Sequence, residues 1–139
     1  MRFIDASVFL YAYLKPKKEL PGKLKKMKER AKGIVKRVDE GEKVVTTIVH
    51  LSEIANIIES KASLMKSIKV VLSILNKPNI IIMDVTKSAY LEAAKCAELY
   101  GVGVNDALAY ITMRNLKIRE IYSFDTDFDK LKDIERLTK

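Results

Sequence analysis

Four short apolar runs, the first three each followed by a segment with helical spacing and the fourth by an acidic turn, constrain this chain more than any other feature. They are Arg2-Phe3-Ile4, Lys43-Val44-Val45-Thr46-Thr47, Ile80-Ile81-Ile82-Met83 and Glu120-Ile121-Tyr122-Ser123-Phe124. Each is too short for a stable helix and rich in β-branched or aromatic residues, as strands are. Ile80 to Met83 is apolar at every position, the character of a buried parallel strand. Ile134 to Leu137 offers a further short edge strand. Strands that alternate with helices build βαβ units. The expected fold is therefore α/β, a three-layer α/β/α domain with a central, mostly parallel sheet of four to five strands.

The helices follow from apolar spacing and from caps. Val8 to Leu14 follows the first strand, and the prolines of Lys15-Pro16-Lys17-Lys18-Glu19-Leu20-Pro21-Gly22 break the chain after it. A long helix, Lys23 to Glu40, carries Leu24, Met27, Ala31, Ile34, Val35 and Val38 on one face, and Gly41 fits its C-terminal cap. From Thr47 to Ser60 the packing face is Ile48, Leu51, Ile54, Ala55 and Ile58, with Glu53 off that stripe. Ser63 caps a helix to Asn76 whose inward residues read as Leu64, Ile68, Val71, Leu72 and Leu75. Thr86 caps the next, to Tyr100, packed by Tyr90, Ala93, Ala94 and Ala97. After the Gly101-Val102-Gly103-Val104 turn, Asn105-Asp106 opens the helix Ala107 to Asn115.

At 139 residues the chain is expected to form one domain, 1–139, with a sizeable core. No apolar run approaches the roughly 18 residues of a membrane span. With a strand from Arg2 there is no expected signal peptide. The single cysteine, Cys96, has no partner for an intramolecular disulfide, so a reduced, cytoplasmic protein is expected. Cys96 and the five methionines read as core.

Charge is concentrated. Residues 15–43 hold 12 Lys and Arg against 5 acids, a net +7 of the chain's +8. A basic patch of this density attracts a phosphate backbone, and Lys25, Lys26 and Lys28 are the residues expected to bind it. A solvated face that serves solubility is the ordinary alternative.

The acids are placed differently. Asp5, Asp106 and Asp125 stand where an element meets a loop, and Glu53 reaches over from the helix after the second strand. Open parallel sheets bind ligands at the carboxyl ends of their strands, so these acids are expected to share one crevice. Singly, each has an ordinary reading as a turn, cap or surface residue; together, with Asp5 on a core strand, they point to chemistry. Carboxylates crowded this way repel unless a cation compensates. An all-oxygen set suits Mg²⁺ or Mn²⁺, and no His/Cys cluster suits zinc. An acidic pocket beside a basic surface fits metal-assisted hydrolysis of a nucleic acid. His50, the only histidine, reads as packing or capping. Tyr11 and Tyr13 flank the first strand's helix, with core packing and base stacking both open.

The order of Ile4-Asp5-Ala6-Ser7, Glu53 with Asn56, Asn105-Asp106-Ala107-Leu108-Ala109-Tyr110-Ile111, and Ser123-Phe124-Asp125-Thr126-Asp127-Phe128 resembles PIN-domain ribonucleases. Within that family it is similar to the VapC-type toxins of toxin–antitoxin pairs. The resemblance implies that Asp5, Glu53, Asp106 and Asp125 are catalytic metal-binding acids and that Asp127 is a further metal ligand. It implies supporting roles for Ser7 and Ser123, and for Asn56 and Asn105 as weaker matches. It also implies an endoribonuclease with Mg²⁺ or Mn²⁺, an RNA substrate, a homodimer and an antitoxin partner. The stretch between the first helix and the second strand is longer and more basic than such toxins usually need. A PIN nuclease of RNA processing and a non-catalytic RNA-binding or scaffold protein of the same fold are the alternatives. A phosphatase is disfavoured by Ser7, which stands where a second Asp would be needed, and a receiver domain by the lone acid between Arg2 and Asp5.

Overall fold

The computed structural model describes residues 1–16, 18 and 21–139. Lys17, Glu19 and Leu20, part of the break expected over Lys15 to Gly22, lie outside the described residues. In chain order the elements are β1 (Arg2–Ile4), α1 (Ala6–Tyr13), α2 (Gly22–Asp39), β2 (Val44–Thr47), α3 (Ile48–Lys61) and α4 (Leu64–Leu75). There follow β3 (Ile80–Met83), α5 (Lys87–Tyr100), α6 (Val104–Asn115), β4 (Glu120–Tyr122), a 3₁₀ turn (Thr126–Lys130) and β5 (Glu135–Leu137).

The sheet order is β3-β2-β1-β4-β5, and every neighbouring pair is parallel. β1 is central, and the chain leaves it toward β2 on one side and later returns to β4 on the other. The order reverses there, so the carboxyl ends of β1 and β4 flank the crevice where such sheets hold ligands.

Strand pleat assigns the two cores. Ile4, Val44 and Tyr122 face the layer built by α1, α2, α3 and α4, where Phe9, Ile34, Ile54 and Ile74 are buried. Phe3, Val45 and Ile121 point to the other side, against Ala109 and Met113 of α6 and Phe128 of the 3₁₀ turn. This is period-two alternation on a sheet covered on both faces. Tyr122 is fully buried beneath two guanidiniums: Arg2 and Arg37 lie 5.2 and 5.6 Å from its ring centroid. Both also donate to its hydroxyl oxygen.

Ser63 and Thr86 cap their helices as expected, and Thr47, read as the first residue of its helix, is an N-cap too. Thr47, Ser63 and Thr86 each accept from the backbone N–H three residues on, and Gly101 closes α5 in the left-handed conformation at φ 68°. Gly41, φ 116°, follows the last residues of α2. Asn79 Nδ2 donates to the carbonyls of Val38 and Glu42 at that same end, both at 2.7 Å.

Several packing expectations are corrected. α4 turns Ser67, Val70 and Ile74 inward, leaving Leu64, Ile68, Leu72 and Leu75 exposed and Val71 half-buried. The small Ser67 decides this, because its hydroxyl donates to the Ala55 carbonyl at 2.7 Å and seats α4 on α3. α4 carries apolar residues on more than one stripe, so spacing alone did not identify the buried one. Ile48 is exposed, as are Met1 and Met65, while Cys96 is only half-buried. β3 is an edge strand and keeps only Ile80 fully inside. Tyr90 is exposed rather than packed, and α5 buries Ala93 and Ala97.

Candidate active site

Asp5 is the first residue after β1, where its backbone N–H still donates to the Tyr122 carbonyl at 3.0 Å and extends the pairing with β4. Its extended conformation (φ −81°, ψ 153°) makes it the N-cap residue of α1, without a side-chain cap bond. The carboxylate is instead held from the side. Ser7 Oγ and Ser123 Oγ each donate to Oδ2 at 2.8 Å. Both serine oxygens also accept from the backbone after β4, from Phe124 N at 3.1 Å and Asp125 N at 3.0 Å. Two hydroxyls thus tie the end of β1 to the end of β4 through one carboxylate oxygen. Among the described residues no donor engages Asp5 Oδ1.

Asp125 follows this link and starts the 3₁₀ turn, where its Oδ1 accepts from Asp127 N at 2.9 Å. Asp106 lies in the first turn of α6. Glu53, half-buried on α3, is oriented by Asn105, whose Nδ2 donates to its Oε1 at 3.2 Å. Asp5, Glu53, Asp106 and Asp125 line one cavity of about 490 Å³, together with Ser7 and Asn105. One carboxylate oxygen from each of Asp106, Asp125 and Asp127 lies within 4.8 Å of the other two. Asp5 and Glu53 are outside that tighter group, and Asp127 also pairs with Lys130 Nζ at 3.1 Å.

Electrostatics follow from the crowding. The Asp106 carboxyl is pushed up to about 8, by burial first and then by Asp125 and Asp5. Burial raises Glu53 as well, opposed by the Asn105 hydrogen bond. At neutral pH the cluster thus keeps a proton on Asp106 in the absence of a cation. Hard, all-oxygen donors within a few ångströms, one of them charged only when compensated, fit a divalent cation such as Mg²⁺ or Mn²⁺.

His50 is fully buried near this cavity. Its Nδ1 lies 2.7 Å from Thr47 Oγ1, its ring stands edge-on to Phe3 at 5.2 Å, and Nε2 has no partner among the described residues. Burial pushes its pKa below the ordinary value against the opposing pull of Asp5, so the imidazole is neutral and does capping and packing work. Tyr11 meets Phe124 edge-on, and Tyr13 stacks on Phe9.

Other expected residues are set apart. Asn56 lines an adjoining cavity rather than the acidic one. Lys25 and Lys26 are exposed on α2 and do not line the acidic cavity. Lys28 is half-buried, and its ammonium donates to the carbonyls of Tyr11, Ala12 and Leu14, where it caps the end of α1. Burial lowers its pKa, with Lys32, Lys66 and Lys15 adding repulsion. Sequence reading missed Tyr90, which lines the acidic cavity and donates from its hydroxyl to Asn105 Oδ1 at 2.9 Å. No local signal joins the two, since they sit on different helices.

Comparison with known proteins agrees with this architecture. A family model described as the PIN domain matches residues 2–134. The fold is similar to that of VapC20 from Mycobacterium tuberculosis, a sarcin-ricin loop cleaving toxin, with a TM-score of 0.77 and 17% identity. The similarity covers 97% of this chain and 98% of that one. No match was found among curated proteins.

Proposed function

This chain belongs to the PIN domain family of nucleases, and from that premise we propose that it is a metal-dependent endoribonuclease acting as the toxin of a toxin–antitoxin pair. The observation that carries the reading is the cavity at the β1/β4 switch, where Asp5, Glu53, Asp106 and Asp125 converge. Asp106, Asp125 and Asp127, with Asp5 and Glu53 beside them, would hold Mg²⁺ or Mn²⁺. When bound, such an ion offsets the carboxylates' charge against a phosphodiester and stabilises charge developing on its oxygens.

The residues divide the work. Ser7 and Ser123 fix Asp5 by one oxygen and leave the other without a donor among the described residues. Asn105 sets the Glu53 carboxylate. To hold a cation Asp106 would have to give up its proton, so occupancy would rise with pH through the range of its raised pKa. Exposed Lys25 and Lys26 draw the RNA backbone toward a protein whose reaction pocket would otherwise repel it.

VapC20 is a toxin that cleaves the sarcin-ricin loop, and we extend to this chain an RNA substrate and an antitoxin protein as partner. The exposed Leu64, Met65, Ile68, Leu72 and Leu75 on α4 support the expected homodimer, since apolar patches of this kind mark interaction sites. Among the described residues no helix is long and apolar enough to cross a membrane, and we place the protein in the cytoplasm with its RNA.

The test is cleavage of end-labelled RNA in Mg²⁺, Mn²⁺ or EDTA, beside Asp106→Asn. Metal-dependent products with 5′-phosphate and 3′-hydroxyl ends, lost in the variant, are expected. Cyclic phosphate ends that persist in EDTA would refute the mechanism. Salt-sensitive binding without cleavage would assign the chain to the non-catalytic RNA-binding class.

A further inference from the structure

The acidic cavity is not isolated. Ile57 of α3 lines it and two neighbouring cavities. One neighbour, about 600 Å³, carries Lys15 and Lys61. The other, about 470 Å³, shares Glu53, Tyr90 and Asn105 with the acidic cavity, so the two communicate through a common wall. Cavities that adjoin the acidic one thus carry lysines that a polyanion could meet, Lys15 and Lys61 in one and Lys87 in the other.

The Lys87 side has the make-up of a site for a nucleobase. Val49, Ile57 and Val85 give it apolar walls, and Ser52 and Asn56 give it polar groups able to meet base edges. Tyr90 is 39% exposed, an aromatic ring that a sheet core would have covered and that instead lines both cavities. Its tip is tied to Asn105, which in turn holds Glu53, so ring and acid are positioned by one hydrogen-bonded chain. Base stacking on an aromatic ring is tolerant of sequence, and a duplex cannot offer a base to such a cavity without unpairing it.

We propose that the cavity beside the acids is a subsite for one unstacked base of single-stranded RNA flanking the scissile phosphate, with Tyr90 as stacking platform and Lys87 as the cation for the adjoining phosphate. The subsite rests on the nuclease reading for its place in a reaction, but base binding is measurable without cleavage. It selects loops and unpaired segments over duplex.

The chain contains no tryptophan, so Tyr90→Trp in an Asp106→Asn background provides a single reporter. The probe is a ten-nucleotide single-stranded oligoribonucleotide, with the same sequence as a duplex for comparison. Single-stranded RNA is expected to quench the Trp fluorescence and the duplex to do so weakly. In the Asp106→Asn background, followed by anisotropy of labelled RNA, Tyr90→Ala is expected to weaken binding about tenfold while Tyr90→Phe stays close to the parent. Lys87→Ala should lower the salt slope by about one. Equal binding by Tyr90→Ala and the parent, or no quenching by any RNA, would overturn the subsite. A loss in Tyr90→Phe as large as in Tyr90→Ala would also overturn it, because the bond to Asn105 rather than the ring would then carry the effect. Parallel cleavage assays of the wild-type chain with Mn²⁺ separate the two ideas. Cleavage indifferent to Tyr90, with no quenching, removes the subsite and leaves the nuclease. Quenching without cleavage leaves the subsite and removes the nuclease.

Discussion

Two parts of this molecule gather like charges, and they handle the repulsion in opposite ways. Along α2 the lysines point mostly to water, where screening makes their mutual repulsion small. The half-buried cations there have structural partners: Lys28 on three carbonyls, Arg30 on Thr138, and Arg37 on Tyr122 and Glu42. In the acidic cavity the carboxylates are held together by backbone that the core fixes, and Asp106 is driven up to about 8 as a result. A helix surface can spread its charges by rotating side chains. Acids fixed by strand ends and packed helices cannot, so crowding there persists unless a cation compensates. Sequence proximity made α2 the conspicuous cluster, but burial makes the dispersed acids the consequential one.

The largest test of that contrast is cleavage. Asp5→Asn and Asp106→Asn are each expected to lower kcat/KM by more than about 100-fold, above the range for a disturbed supporting partner. RNA binding in gel shift should be equal or tighter, because a repelling charge is gone. Unchanged turnover in both variants would remove the acidic cavity from the reaction. Ser123→Ala comes next, with an expected loss of about 10- to 100-fold as Asp5 Oδ2 and the Asp125 amide lose a shared partner. A full-rate Ser123→Ala enzyme would mean that the link between strand ends is structural only.

The basic helix should respond more mildly. Lys25→Ala with Lys26→Ala is expected to weaken RNA binding and reduce the salt slope by about two, one per phosphate contact. Lys28→Ala should instead cost about 1–2 kcal/mol of folding stability, seen in urea melts, because it uncaps α1. A slope that falls with Lys28 and not with Lys25 and Lys26 would make Lys28 the RNA contact and the exposed pair a solvated face.

The smallest effect concerns the metal-free protein. The folded chain keeps a proton at Asp106 that the unfolded chain gives up above about pH 4, so fewer protons are bound on unfolding. Stability in EDTA should therefore fall as pH rises from about 4 to about 8, the reverse of a carboxylate stabilised by a cation. Asp106→Asn should flatten that fall and add about 0.5–2 kcal/mol near pH 7. Thermal melts across pH, with and without Mn²⁺, decide it. A metal-free protein equally stable across this range would show that the carboxyls are less crowded than their geometry requires.

Much of this was legible in the chain. Asp5 followed from one apolar run ending and one helical pattern beginning. Ser63 and Thr86 announced their helices because a cap is a local event between residues three apart. The acids at the ends of β1 and β4 were readable because parallel sheets direct all their carboxyl ends to one edge. The inward face of α4 was not, since leucines and isoleucines surround the helix and only its seat on Ala55 selects Ser67. Nor was Tyr90 legible as a cavity residue, because an aromatic at helical spacing fits a core equally well.

By itself the sequence determined the elements, their alternation, the caps and the set of acids, all of which depend on interactions within a few residues or on periodicity. Tertiary structure alone decided which oxygens approach within 4.8 Å, which lysine is occupied by carbonyls, and which helix faces stay uncovered. Those outcomes depend on the order in which strands pair and on how close one backbone comes to another. Distance in space is fixed by packing, and no spacing along the chain encodes it.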